Sequence, residues 1–396
     1  CVGRDNWAFE IYSTPLASAP SQTNPCVRGA NVIDERFQFL RASGIILHKR
    51  PTIDDVARHS GVARTTVSRV LHNGPNVRDA VREKVLASVE ALGYTVNAQA
   101  RYLASGSARQ IALIHATDED AEPNSYYHSG LELGAMRACA EQGFALMTQT
   151  ANPSKPEDQR AIATLADSGR FDGIILTPPF SDRADLIAAI LAGPTRVVCV
   201  SAGRETQVQV PWVGIDDFAA GEAVGAFLVG IGHKNFAYID GPAEHRSARL
   251  RLDGFRAALD HHGVASDDMR VEQGNFTFKS GVELAEEILA GPSRPSALIC
   301  GNDDMAAGAL LSAHKLGLAI PGDLSIIGFD DTPVSRIVWP PLTTVHQPIR
   351  QFGARAVELL IAAIRAEQGQ GNGAPEGGFV PFALVERLST RAKVPA

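Results

Sequence analysis

TIDDVARHSGVARTTVSRVL, residues 52–71, is the stretch on which the reading of this 396-residue chain turns. Thr52 with Asp55 three residues later has the form of a capping box, with Asp in place of the usual Glu. Apolar Val56, Ala57, Val62, Val67, Val70 and Leu71 recur at helical intervals. Gly61 supplies a turn between two short helices, and Ala57 is small where they must approach. The exposed face of the second helix carries Arg64, Thr65, Ser68 and Arg69. A helix fits the major groove of B-DNA, and these side chains donate to base edges and phosphates. Spacing alone also describes an ordinary helical hairpin with a polar face.

Downstream, Val81, Val85, Leu86, Val89 and Leu92 mark a third helix, closed by Gly93 at a C-cap position. Residues 97–104 have the makings of one more short helix, and Ser105, Gly106 and Ser107 form a flexible break. Upstream, residues 1–47 show little periodicity and cluster Ser, Pro and Asn. They read as poorly ordered, or as a gene-model extension, in a chain that opens on Cys1.

Charge divides along the same lines. Residues 48–110 hold 10 Lys+Arg against 5 Asp+Glu, a net +5, whereas residues 111–396 carry a net −12. A basic module on an acidic body favours contact with a polyanion through the module alone.

From Gln110 onward, short aliphatic runs alternate with helical stretches. The runs are 111–114, 173–176, 197–200, 236–239, 297–300 and 324–328. The helical stretches are 130–142, 182–191, 219–231, 248–262, 281–290 and 305–316. That alternation predicts parallel sheets covered by helices, and its length suits two α/β lobes. Ligands in such folds bind at the carboxyl ends of the strands. An apolar fraction of 45% excludes general disorder, and no run is long enough to span a membrane. Five scattered cysteines (Cys1, Cys26, Cys139, Cys199, Cys300) form no zinc spacing and invite no disulfide, so a reducing, cytoplasmic setting is expected. Asp303-Asp304 and Asp330-Asp331 lack further ligands for a metal. No nucleophile–base set and no phosphate loop is present, so neither catalysis nor a cofactor is expected.

Three motifs together resemble the lactose/galactose repressor (LacI/GalR) family from about Pro51 to Ala392. They are the 52–71 segment, REKV (82–85) with LGY (92–94) and Asn97, and GFDDT (328–332) with PPLTTV (340–345). The resemblance implies an all-α helix-turn-helix headpiece plus an α/β two-lobe domain like a periplasmic sugar-binding protein. It divides the chain into a headpiece at 48–96, a hinge helix and linker at 97–109, and an effector-binding and dimerisation domain at 110–396. Lobe 1 is expected at about 110–200 and 346–376, and lobe 2 at about 201–345 and 377–391.

Carried over by position, Arg64 and Thr65 read bases. Ser68, Arg69 and Asn73 take base or phosphate roles, and Thr52 a phosphate role. Asn97 opens the hinge segment, where Ala100 packs on the partner helix and Leu103 wedges into the minor groove. Ala63 and Arg78 depart from the family, each standing where a capping Ser is usual. In the effector domain the matching positions are Arg251, Asn302 and Asp330, a set suited to hydroxyls that each need a donor and an acceptor. Phe276 falls where an aromatic stacks on the ligand, and Gln347, Tyr126, Tyr127 and Ser181 are further contacts.

The function implied is a homodimeric or tetrameric repressor of a carbohydrate-utilisation operon. It would read a pseudo-palindromic double-stranded operator under allosteric control by a sugar-like effector. A purine or nucleoside effector is the lesser alternative. A transporter's extracellular sugar-binding component shares the two-lobe fold. The helix-turn-helix, and a start without a basic then apolar leader, speak against it.

Overall fold

Local capping sets the first helix. In the structure, a computed structural model, Thr52 Oγ1 accepts the Asp55 backbone N–H at 3.3 Å, and the Thr52 N–H donates to Asp55 Oδ2 at 2.9 Å. Both halves of the capping box are therefore made. The structure describes residues 51–71, 74, 77–94, 108–117, 125–266, 269–291, 293–369 and 376–392. The 1–47 segment, Asn73, Asn97, Ala100 and Leu103 lie outside the described residues. The chain divides into two compact units, Cys1–Val96 and Asn97–Ala396.

In the first unit, α1 (Ile53–Ser60) ends where Gly61 adopts φ 62° and turns the chain into α2 (Arg64–Leu71). Then α3 (Asp79–Leu92) ends at Gly93, φ 58°. Those left-handed values are why glycine occupies both positions. Val56, Val67, Val70 and Val85 form the buried centre. Leu86 is 49% exposed and so is not the core residue its spacing suggests. Arg78, at the N-cap of α3, makes no side-chain cap.

The second unit contains two parallel sheets. The first comprises β1 (Gln110–Ala116), β2 (Ala145–Ala151), β3 (Gly173–Leu176), β4 (Arg196–Val200), β5 (Trp212–Gly214) and a late strand, β11 (Gly378–Phe379). Its order is β11-β5-β4-β3-β1-β2. Helices α4 (Ser125–Glu141), α5 (Pro156–Asp167), α6 (Ala184–Leu191) and the short α7 (Arg204–Gln207) connect these strands.

The second sheet has β6 (Phe236–Asp240), β7 (Arg270–Gln273), β8 (Ala297–Cys300) and β9 (Ser325–Ile327), in the order β7-β6-β8-β9. Its helices are α8 (Asp217–Gly230), α9 (Arg246–His261), α10 (Phe278–Ala290), α11 (Asp303–Lys315) and the short α12 (Val334–Ile337). An antiparallel pair, β10 (Thr344–His346) with β12 (Ala383–Val385), flanks the crossover into α13 (Ile349–Glu367). Helix α13 returns to pack on α4 and the first sheet.

Central strands β3, β6 and β8 are buried along their whole length, so they read as continuous aliphatic runs. Edge strand β2 is exposed at Ala145, Thr148 and Thr150 and breaks that signal. The lobe boundary differs from the sequence expectation. Strand β5 pairs with β4, and β11 pairs with β5, so 212–214 and 378–379 belong to the first lobe. The two- and three-residue strands at 378–379 and 212–214 carry too little pattern to be assigned from sequence, and their hydrogen-bond partners place them.

Three helix pairs cross at reciprocal glycines. A Cβ at Gly221 of α8 would lie 1.9 Å from the Arg251 carbonyl oxygen, and one at Gly254 of α9 would lie 2.0 Å from that of Phe218. Gly134 with Gly353 does the same for α4 and α13, and Gly281 with Gly308 for α10 and α11. The first crossing fixes α9, and α9 carries Arg251.

Candidate DNA-reading face and effector cavity

On the headpiece, Arg64, Thr65 and Arg69 are exposed along one side of α2, and Ser68 is half-buried beside them. Arg64 Nε lies 3.5 Å from Asp54 Oδ1 of α1. Thr52 is exposed, but its hydroxyl also donates to Asp55 Oδ2 at 2.7 Å. With Arg58 also on that carboxylate, Asp55 is held down at about 2, chiefly by the Thr52 backbone and side-chain hydrogen bonds.

Within the second unit, the loops after the strands of both sheets enclose a cavity of about 230 Å³. Thr117, Asn152, Thr177 and Ser201 follow β1 to β4, and Tyr127 and His128 come from the first turn of α4. Opposite them stand His245, Ser247, Arg251, Asn275, Phe276 and Asp330. The carboxyl ends of parallel strands converge here, where an open α/β sheet binds its ligand.

Arg251 is fixed rather than mobile. Its Nε donates to Asp217 Oδ1 at 2.8 Å and its Nη1 to the Gly301 carbonyl at 3.3 Å. Its guanidinium carbon lies 3.8 Å over the Phe329 ring. Burial works against its charge, but Asp217 and Asp330 outweigh that and hold it ionised. Asp330 accepts Gln347 Nε2 at 2.6 Å. Burial pushes its carboxyl up to about 7 against the pull of Arg251 and Gln347. A fixed donor and a fixed acceptor thus border one cavity.

Phe276 lies edge-on to His245, with ring centres 5.3 Å apart. Tyr127, pushed up to about 12 by burial, bonds Ser201. The imidazoles stay neutral. Burial takes His128 down to about 4, and burial with Arg251 takes His245 to about 4. Behind the wall, His115 stacks 4.4 Å from His128, and burial takes it to about 3. Glu132 Oε1 is 3.1 Å from its Nε2, without the geometry of a hydrogen bond.

Four sequence-assigned effector residues do not border this cavity. Asn302 is the N-cap of α11: its Oδ1 accepts the Met305 N–H, and its Nδ2 donates to the Phe276 carbonyl at 2.9 Å. It therefore holds the Phe276 loop, in which Phe276 has φ 64°. Gln347 sits behind Asp330, with Oε1 buried and unpartnered. Ser181 is fully buried in a 3-10 turn. Tyr126 is 42% exposed and points about 100° around α4 from Tyr127, since an α-helix turns by that much at each residue. His128, His245, Ser201, Asn152 and Asn275 were missed. Only their position just after a strand or at a helix start marks them.

Among the described residues no group of three His, Cys, Asp or Glu is placed to hold a metal, and no described helix is long and apolar enough to cross a membrane. Cys139, Cys199 and Cys300 are buried free thiols.

Comparison with known proteins matches residues 52–97 to the model described as bacterial regulatory proteins, lacI family, and residues 226–390 to a periplasmic binding protein-like domain. The ribose operon repressor of Escherichia coli (strain K12) is 31% identical over 322 residues, 79% of this chain and 93% of that protein. Catabolite control protein A of Priestia megaterium is 33% identical over 318 residues, covering 80% and 93%. A lac repressor dimer bound to operator and the anti-inducer ONPF superposes with a TM-score of 0.76 at 28% identity, covering 87% of this chain and all of that one.

Proposed function

The chain belongs to the lacI family of bacterial regulatory proteins, and on that premise we propose that it represses a carbohydrate-utilisation operon and is released by a small, sugar-like effector. It is a sequence-specific DNA-binding transcriptional regulator. Arg64, Thr65, Ser68 and Arg69 read the operator from the exposed face of α2, and Thr52 supports them at the phosphate backbone. The protein acts as a homodimer in the cytoplasm, two headpieces matching two half-sites.

The observation that carries the effector reading is the pairing of Arg251 with Asp330 on one cavity. Apart from Glu244, neutral imidazoles, hydroxyls and amides fill the rest of its polar lining, and Phe276 offers an apolar face. Polyols need this mixture, because each hydroxyl both gives and takes a hydrogen bond. Effector and operator affinities must be linked reciprocally, whichever sign the coupling has.

The test is a thermal-shift screen of ribose, glucose, galactose, cellobiose and free purines, with each hit retested for release of operator DNA. A sugar that raises the melting temperature and releases DNA is the expected result. A shift with a purine and none with any sugar would sink the effector class.

Asp330 sets the pH dependence. Only the ionised carboxylate accepts two hydroxyls, so sugar affinity should climb from pH 6 to pH 8 and level off above the carboxyl's value of about 7. The same group opposes folding. Its value is raised on folding, so its contribution is most favourable below the unfolded carboxylate range and erodes as pH rises toward 7. Asp330→Asn should therefore raise the melting temperature at pH 8 while flattening the pH profile of binding. Calorimetric titration at pH 6, 7 and 8 checks both, and a wild-type profile in the variant would refute this role.

A further inference from the structure

The two neighbouring carboxylates at the start of α1 are used differently. Asp55 is committed within its own helix, to the Thr52 backbone and hydroxyl and to Arg58 Nη1 at 2.8 Å. Asp54 turns to the next helix, where its Oδ1 lies 3.5 Å from Arg64 Nε. Among the described residues Arg64 is the one cation within ion-pair reach of Asp54. The pair is well exposed, with side chains 68% and 56% accessible, so it contributes little to folding. Among the described residues no other ion pair or side-chain hydrogen bond holds Arg64, and Ala63 before it has no polar side chain to cap the helix.

An arginine side chain has two hydrogen-bonding edges. A carboxylate facing Nε, here in ion-pair contact at 3.5 Å and short of hydrogen-bond geometry, covers one edge and leaves the paired Nη donors on the other as a planar fork. That fork matches O6 and N7 of guanine in the major groove, whereas a freely rotating arginine also serves phosphates. We propose that Asp54 is a positioning residue for base reading: it holds Arg64 by its Nε edge so that the Nη fork meets a guanine in each operator half-site. The proposal rests on the reading of α2 as the recognition helix.

Asp54 also carries a cost with a recognisable sign. An exposed carboxylate beside the groove is repelled by phosphates, an effect largest at low salt. Removing it should therefore strengthen binding to random DNA while weakening base discrimination. A residue that merely supported α1 would not produce that opposition.

The experiment selects binding sites from a random duplex library with the full chain as wild type, R64A, D54A and D54E. Wild type should yield a guanine at one position per half-site, and R64A should lose that preference by on the order of 10-fold or more. D54A should reduce it about 3-fold at that position alone, with D54E restoring part of it and with tighter binding of D54A to non-operator DNA. A D54A profile identical to wild type beside an altered R64A profile overturns the proposal only. A uniform loss at every position overturns it too, marking Asp54 as support for α1. An unchanged R64A profile, or a base other than guanine at the Arg64 position, removes the premise itself.

Discussion

Arg251→Ala should destabilise the α/β unit by about 3–5 kcal/mol and abolish effector binding. The reason is the partner left behind. Asp217 is 5% exposed, and its carboxylate accepts Arg251 Nε at 2.8 Å. Without the guanidinium, burial pushes that carboxyl upward unopposed, and a buried charge without a partner is what makes broken pairs expensive. The Gly301 carbonyl also loses its donor and the Phe329 ring its cation. Lysine should not rescue, because one ammonium cannot serve Asp217, Gly301 and a ligand from the plane of a fork. The double replacement Arg251→Met with Asp217→Leu should recover most of the stability and none of the binding. Urea unfolding with effector titration separates the two roles. A single Arg251→Ala variant within about 1 kcal/mol of wild type would show that the pair is not the buried keystone described.

Gly221→Ala is the second large effect. Alanine favours a helix over glycine by about 1 kcal/mol, so on propensity alone the change should stabilise α8. The crossing reverses that sign. The new Cβ would stand 1.9 Å from the Arg251 carbonyl oxygen, which is helical backbone and cannot swing aside. Helix α9 must move, and Arg251 moves with it. Overpacking of this kind costs about 3 kcal/mol, leaving a net loss near 2 kcal/mol together with weaker effector binding. Gly230→Ala, in the same helix with nothing within 4 Å of its Cβ, is the matched control and should be neutral or stabilising. Equal urea midpoints for the two variants would contradict so close a crossing.

The headpiece was legible because its determinants are local. Thr52 with Asp55, Gly61 and Gly93 fix helix ends through their own backbones, within four residues of sequence. The central strands were legible for a related reason: burial on both faces demands unbroken aliphatic runs such as 173–176 and 297–300. The motif at 328–332 brought Asp330 into view, but Asn302 shows the limit of such matching. Its position just before α11 makes it an N-cap whose Nδ2 donates to the carbonyl of cavity-lining Phe276, so it supports the wall without bordering the cavity itself.

Sequence by itself thus determined the helix-turn-helix, the parallel α/β architecture and the family, all of which follow from short-range capping, periodicity and motif. Tertiary structure alone decided which lobe β5 and β11 join, that Tyr127 but not Tyr126 meets the cavity, that Asp217 holds Arg251, and that Asp54 reaches Arg64. The physical reason is common to all four. Each depends on residues brought together from separate elements, and no periodicity within one element records what another places opposite it.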